Sequence, residues 1–227
     1  MRIAVLQHAF RADPAADADA LVVAAASAAA LGAEVIVLPE VPSVHTGSEL
    51  DAWWQRVALA VPDARVLVPH VGRDNGSAAF EAELDPLGRV AMLSGDAAID
   101  PEVLRQTADR GADVVVLAPR SESDLQAEAV LECAMDLSLS VVSLVLVVEP
   151  DGAETGVPGH GGSAIVYLGE AMAEAASGDD TLIYDIELPL TPPEPRGPLP
   201  AVAPILAQRL AAHRGQKLDV PYPADLS

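Results

Sequence analysis

DPEVLRQTADRGADVVVLAP, from Asp100 to Pro119, is the stretch that decides the fold. Asp100 suits the N-cap of a helix, and Pro101 suits the first helical position, where a missing N–H costs nothing. The helix ends near Gly111, a residue free to take the left-handed conformation that closes a helix. Asp113 to Leu117 then reads as a strand. Its run of Val and Leu is apolar on both faces, as a sheet covered on both sides requires. A helix feeding directly into a doubly buried strand means α/β layering.

The same alternation extends outward in both directions. Upstream, Ile3 to Leu6 reads as a buried strand and Asp13 to Leu31 as an Ala-rich helix closed by Gly32. Glu34 to Leu38 and Val66 to Pro69 read as strands. Ser77 to Leu84 alternates, Asp85-Pro86-Leu87-Gly88 makes a turn, and Val90 to Leu93 is a short strand. Downstream, Asp124 to Leu137 reads as a helix and Val141 to Val148 as a long apolar strand. Ser163 to Tyr167 and Thr181 to Leu188 are further strands, with a Gly-containing turn and an acidic loop between them. Pro189 to Pro204 holds seven prolines and excludes a central strand or helix interior. An amphipathic helix over Pro204 to His213 and a polar tail follow. The expected division is one domain over 1–190 and a proline-rich linker with a terminal helix over 191–227.

The composition excludes several functions. Among 227 residues, 34 are Asp or Glu and 13 are Lys or Arg, a formal net charge of -21. That charge repels phosphate backbones and anionic lipid, so neither nucleic acid nor a membrane surface is an expected partner. No apolar run reaches the length of a membrane span, and the N-terminal Met1-Arg2-Ile3-Ala4-Val5-Leu6 has strand rather than signal-peptide character. The chain reads as cytoplasmic. Cys133 is the only cysteine and Lys217 the only lysine. One cysteine permits neither an internal disulfide nor a zinc site built mainly from Cys.

In order along the chain come Met1 to Gln7, then Gly32-Ala33-Glu34-Val35-Ile36-Val37-Leu38-Pro39-Glu40, then Asp100-Pro101-Glu102. Arg110-Gly111-Ala112-Asp113-Val114-Val115-Val116-Leu117-Ala118-Pro119 follows, and then Gly161-Gly162-Ser163-Ala164-Ile165-Val166 with Gly169-Glu170 in a hairpin turn. This succession resembles the nitrilase (carbon–nitrogen hydrolase) superfamily over roughly residues 1 to 190. The resemblance implies a four-layer α-β-β-α sandwich, commonly paired into a dimer. It also implies hydrolysis of amides or nitriles by a Glu-Lys-Cys triad. In that triad a thiolate attacks the carbon, a carboxylate acts as general base, and an ammonium stabilises the developing negative charge.

Carried over residue by residue, the triad is incomplete. Glu40 matches the family glutamate that ends the Leu-Pro-Glu motif. The cysteine position, counted back from Pro101-Glu102, falls on Gly95, which has no side chain. The lysine normally follows a turn matched here by Asp85-Pro86-Leu87-Gly88, after a long connection. In this chain the turn runs straight into Val90-Ala91-Met92-Leu93, and Lys217 lies in the tail. Arg89 is no easy substitute, since its planar head differs in reach and geometry from an ammonium. Cys133 falls on the helix over Asp124 to Leu137 and reads as a small buried hydrophobe.

Two function readings follow. In one, the chain is a nitrilase-fold protein without amidase or nitrilase activity, acting through a small-molecule ligand or a protein partner, as a homodimer or hetero-oligomer. In the other, it is a divergent hydrolase cleaving a small amide with Glu40 plus Ser94 or Asp96. Ser94 adjoins the lost nucleophile position, though it otherwise reads as a small polar residue at a strand end. Asp96 near Glu40 would make a carboxylate pair suited to acid–base work or cation binding, though it otherwise reads as a solvated loop acid. His45, His70 and His160 lack metal-ligand spacing, so neither metal nor cofactor is expected. Trp53-Trp54 are either interface anchors or core packing, the second being the simpler reading.

Overall fold

A computed structural model describes residues 1–11, 13–39, 47–69, 78–141, 143–152 and 159–187. The proline-rich stretch and the terminal helix expected over Pro204 to His213 lie outside them, and so do Glu40, His45 and His70.

Two sheets stack face to face. The first holds β1 (Arg2–Gln7), β2 (Val35–Val37), β3 (Arg65–Leu67) and β10 (Asp180–Asp185) in the order β10-β1-β2-β3. The second holds β4 (Ala78–Leu84), β5 (Gly88–Ser94), β6 (Val114–Ala118), β7 (Leu144–Val147), β8 (Ala164–Tyr167) and β9 (Glu170–Glu174), in sequence order. β1, β2 and β3 are parallel, as are β5, β6 and β7. The remaining neighbours pair antiparallel.

Side-chain alternation along the strands sorts the core into three slabs. Ile3, Val5, Val35 and Val37 face inward and meet Val114, Val116, Leu144, Leu146 and Ile165 of the second sheet. Ala4, Leu6, Ile36 and Leu38 face outward and meet α1 (Pro14–Ala30) and α2 (Gly47–Ala60) through Leu21, Ala25, Ala28 and Val57. On the far side, Leu93, Val115, Leu117, Val145 and Val147 meet α3 (Pro101–Arg110) and α4 (Asp124–Val141) through Leu104, Val130, Ala134 and Leu137. The architecture is therefore helix–sheet–sheet–helix, the α-β-β-α sandwich expected. Every strand side chain of β6 is buried, as its unbroken Val and Leu run predicts.

The helix ends obey their sequence signals. Asp13 accepts hydrogen bonds from the amides of Ala15 and Ala16 at the start of α1. Asp100 Oδ1 accepts from the amides of Glu102 at 2.8 Å and Val103 at 3.3 Å, and Gly111 closes α3 in the left-handed region with φ +69°. Asp100→Ala should cost about 1 kcal/mol of stability by urea denaturation, the usual worth of such a cap. A cost within error of zero would show that α3 is held by packing alone.

The structure corrects three readings. Val141 ends α4 rather than opening a strand, and β7 is confined to Leu144–Val147. Packing of Leu137 and Val141 against the second sheet carries the helix past the expected boundary. The acidic stretch after Gly169 is not a loop, because Glu170–Glu174 pairs with β8 as edge strand β9. Its glutamates point to solvent while Ala171 and Ala173 are half-buried, and charge on an edge strand is well tolerated. Finally, α2 is a helix that the sequence reading left unassigned. Trp53 within it packs into the slab beneath α1 and donates from Nε1 to the carbonyl of Ala18 at 3.0 Å, so core packing is its role.

Candidate functional site

Because β1 to β3 run parallel and so do β5 to β7, their carboxyl ends gather at one edge of each sheet. The two edges are also stitched together. Gln7, the last residue of β1, accepts at Oε1 from the amide of Ser163 at 3.0 Å. Its Nε2 donates to the carbonyls of Ala176 and Gly178. The Asp151 amide donates to the His8 carbonyl at 2.9 Å. Loops leaving the carboxyl ends of parallel strands are where α/β proteins place their ligand chemistry.

Ser94, Gly95 and Asp96 stand on this edge. Ser94 is the last residue of β5, opposite Ala118 of β6, and is buried at 2% exposure. Gly95 opens a short 3₁₀ turn over Gly95–Ala98, with φ +57°. A Cβ built on Gly95 would meet no atom of the described residues within 4 Å. Asp96 is exposed on that turn. On the first sheet, Leu38 and Pro39 run buried off the end of β2 toward Glu40, which lies outside the described residues. Ser94 and Asp96 thus flank Gly95 in the chain, one inside the core and one in solvent.

Arg89 lies at the other end of the second sheet. It is the second residue of β5, its amide donates to Asp113 Oδ2 at 2.9 Å, and its Nη1 donates to the Arg110 carbonyl. At about 3.3 Å per strand residue, roughly 17 Å separate it from Ser94. Cys133 packs in the outer slab, and burial, with a smaller push from Asp136, raises its thiol to about 12. It is inert, as expected of a buried structural cysteine.

The strongest titratable group at the edge was not singled out from sequence. Glu149 follows β7 and is 1% exposed. Its Oε1 accepts from the Ser121 amide at 2.7 Å and its Oε2 from the Ser121 hydroxyl at 2.9 Å. Burial raises its carboxyl to about 7, against the hydrogen bonds from Ser121 and the nearby His160, which favour the ionised form. Its backbone is held too. Ser163 Oγ lies 3.0 Å from both the Glu149 amide and the Glu149 carbonyl. Gly159 donates from its amide to the Ser121 carbonyl at 3.1 Å. Only glycine fits there, since φ is +135° and a Cβ would stand 2.2 Å from the Pro150 carbonyl oxygen. The available signal was one acid directly after an apolar strand, which by itself reads as the first residue of a loop.

Beside it, His8 is buried between two carboxylates. Its Nε2 lies 3.2 Å from Asp17 Oδ1 and its Nδ1 lies 2.8 Å from Asp179 Oδ1. Arg11 completes the cluster with Nη2 at 2.7 Å from Asp179 Oδ2. His160 Nδ1 lies 3.0 Å from Asp124 Oδ1, a carboxylate 92% exposed. Among the described residues, no group of three or more His, Cys, Asp or Glu side chains is arranged to hold a metal ion. Among them, too, no helix is long and apolar enough to cross a membrane.

No family model and no curated protein sequence matches the chain. Solved structures do. An amidase from Nesterenkonia sp. superposes with a TM-score of 0.63 at 20% identity, covering 82% of this chain and 90% of that one. NitN amidase from Nesterenkonia sp. AN1 gives 0.64 at 20% identity over 95% and 99% of the two chains. A cysteine-to-serine variant of the AN1 amidase, described as a nitrilase-superfamily protein, gives 0.61 at 18% identity over 95% and 97%. The shared length covers both sheets and both helical layers, and the chain has the α-β-β-α fold of the nitrilase-superfamily amidases.

Proposed function

We propose that the chain is a nitrilase-fold protein without amidase or nitrilase activity, which acts by binding a small ligand or a protein partner at the carboxyl edge of its sheets. The observation that carries the reading is Gly95. It occupies the position that the family resemblance gives to the nucleophile, and among the described residues nothing fills the space a side chain would enter there. No thiolate can form at that point, and covalent attack on an amide carbon needs one or an activated equivalent. The single lysine, Lys217, belongs to the tail in sequence, and Arg89 is tied down at the opposite end of β5.

The divergent-hydrolase reading, with Glu40 plus Ser94 or Asp96, has less support. The Ser94 hydroxyl is buried, and the Asp96 carboxylate stands in solvent. The test is ammonia release from short aliphatic amides, nitriles and N-carbamoyl compounds. Wild-type protein should release no more than Glu40→Gln. Turnover that Glu40→Gln or Ser94→Ala abolishes would overturn the proposal.

A second measurement probes the open space directly. Wild-type protein should take up no iodoacetamide while folded, because Cys133 is buried and its thiol is held protonated. Gly95→Cys should label with about one equivalent, since the left-handed conformation costs a non-glycine residue only about 1–2 kcal/mol. A folded Gly95→Cys that resists labelling would show that the edge is closed.

A further inference from the structure

Glu149 does more than begin the loop after β7. Two connections, the one after β6 and the one between β7 and β8, meet at it. The loop after β6 reaches it through the Ser121 amide and hydroxyl. The approach to β8 reaches its carboxyl through the His160 backbone and its main chain through Ser163, whose amide is in turn held by Gln7 of the first sheet. The loop after β7 is bound back on itself, with the Gly161 amide on the Pro150 carbonyl and the Gly152 amide on the Gly159 carbonyl. One buried carboxyl therefore ties the loop after β6 to the approach to β8.

We propose that Glu149 is the pin of a protonation-controlled latch, which holds the loop after β6 and the approach to β8 on the carboxyl edge while its carboxyl is protonated and loosens both when it ionises. A protonated carboxyl can remain in this dry site, donating to Ser121 Oγ while its other oxygen accepts from the Ser121 amide. An ionised carboxyl gains from the same donors but loses its hydration, and the lost hydration dominates here. The structure regains that hydration most cheaply by lifting the loops that exclude water.

Among the described residues, the charged groups on the elements around the pin are Arg120 and Glu122 on the loop after β6, Asp124 at the start of α4, Asp151 and His160 after β7, and His8 just past β1 with its partners Asp17 and Asp179. His160 is the one whose charge acts on the Glu149 carboxyl, and it favours ionisation. The direction follows from linkage. The closed state keeps its proton up to about 7, whereas an open, hydrated glutamate releases it near 4.5. Closure is therefore strongest at acid pH, weakens as pH rises between these values, and levels off above the higher one. The latch stands apart from the question of whether the carboxyl edge binds or hydrolyses anything.

The test is residue-resolved hydrogen exchange on the intact protein, corrected for intrinsic rates. Protection of the Ser121 and Gly159 amides should fall about thirtyfold between about pH 5.5 and about pH 8, relative to Val116 and Leu146 in the core. Glu149→Gln should abolish that dependence, and His160→Gln should keep it. Flat protection in wild type overturns the proposal, and so does a dependence that survives in Glu149→Gln or vanishes in His160→Gln. Carbon-13 titration of the wild-type glutamate carboxyls decides the matter even where the Gln variant does not fold. A carboxyl titrating near neutrality supports the latch, and none titrating above about pH 5.5 overturns it.

Discussion

Leu146→Ala should remove about 3–5 kcal/mol of folding stability, read as a lower urea midpoint at an unchanged slope. Leu146 is completely buried on β7. Its strand is paired on both sides, with Val116 and Ile165 as its register partners. The side chain lies in the slab between the sheets, where neither face can move to fill a void without breaking strand register. A cavity there should persist and cost both the transfer energy and the lost contacts. Leu139→Ala is the control. It lies on α4 with 41% exposure and should change stability by no more than about 0.5 kcal/mol. If Leu146→Ala costs less than about 1 kcal/mol, the slab between the sheets is not the main source of stability.

Glu149→Gln should stabilise the folded protein at alkaline pH and leave it nearly unchanged at acid pH. The folded carboxyl titrates at about 7, raised from 4.5. Between those values the folded state holds a proton that the unfolded state has released, so wild-type stability falls as pH rises through the interval. The full separation corresponds to about 3 kcal/mol. Glutamine does not titrate and keeps both a donor and an acceptor for Ser121, so the variant escapes the loss. Groups held below their ordinary range act in the opposite sense. Asp185 is lowered by the Arg2 guanidinium, and Glu102 is lowered to about 2 by Arg105. Both proteins share these groups, so they cancel in the difference between the two stability curves. Urea denaturation at about pH 5 and about pH 8 should show a gap between variant and wild type that widens with pH. A gap that stays constant would mean that Glu149 is hydrated in the folded protein.

What sequence reveals here depends on how local the cause is. Asp100, Pro101 and Gly111 act within one turn of their own positions, so the bounds of α3 were readable. The doubly apolar runs of β6 and β7 announced covered sheets, because burial on both faces leaves no other composition. β9 escaped because its strand character comes from pairing with β8, and the Glu and Ala that compose it are poor strand formers alone. The end of α4 moved for the same reason, with tertiary packing overriding a local boundary. At the candidate site, Gly95 was identifiable because an absent side chain is visible in the sequence. Glu149 was not, since its chemistry arises from Ser121, 28 positions away, and from burial that only the assembled sheets create.

The first strand has a further consequence for how the molecule is made. β1 pairs along its whole length with β10, from Arg2 with Asp185 to Gln7 with Asp180. The partners of Gln7 lie 156 to 171 positions later in the chain. During synthesis, β1 must therefore wait for β10 to emerge before that side is covered. Until then it presents a row of open backbone groups and an apolar face, the combination that recruits neighbouring chains. Closure across so long a separation is slow. The window for misassembly thus lies late in translation, and nascent chains stalled before Asp180 should be the species that aggregate or engage chaperones.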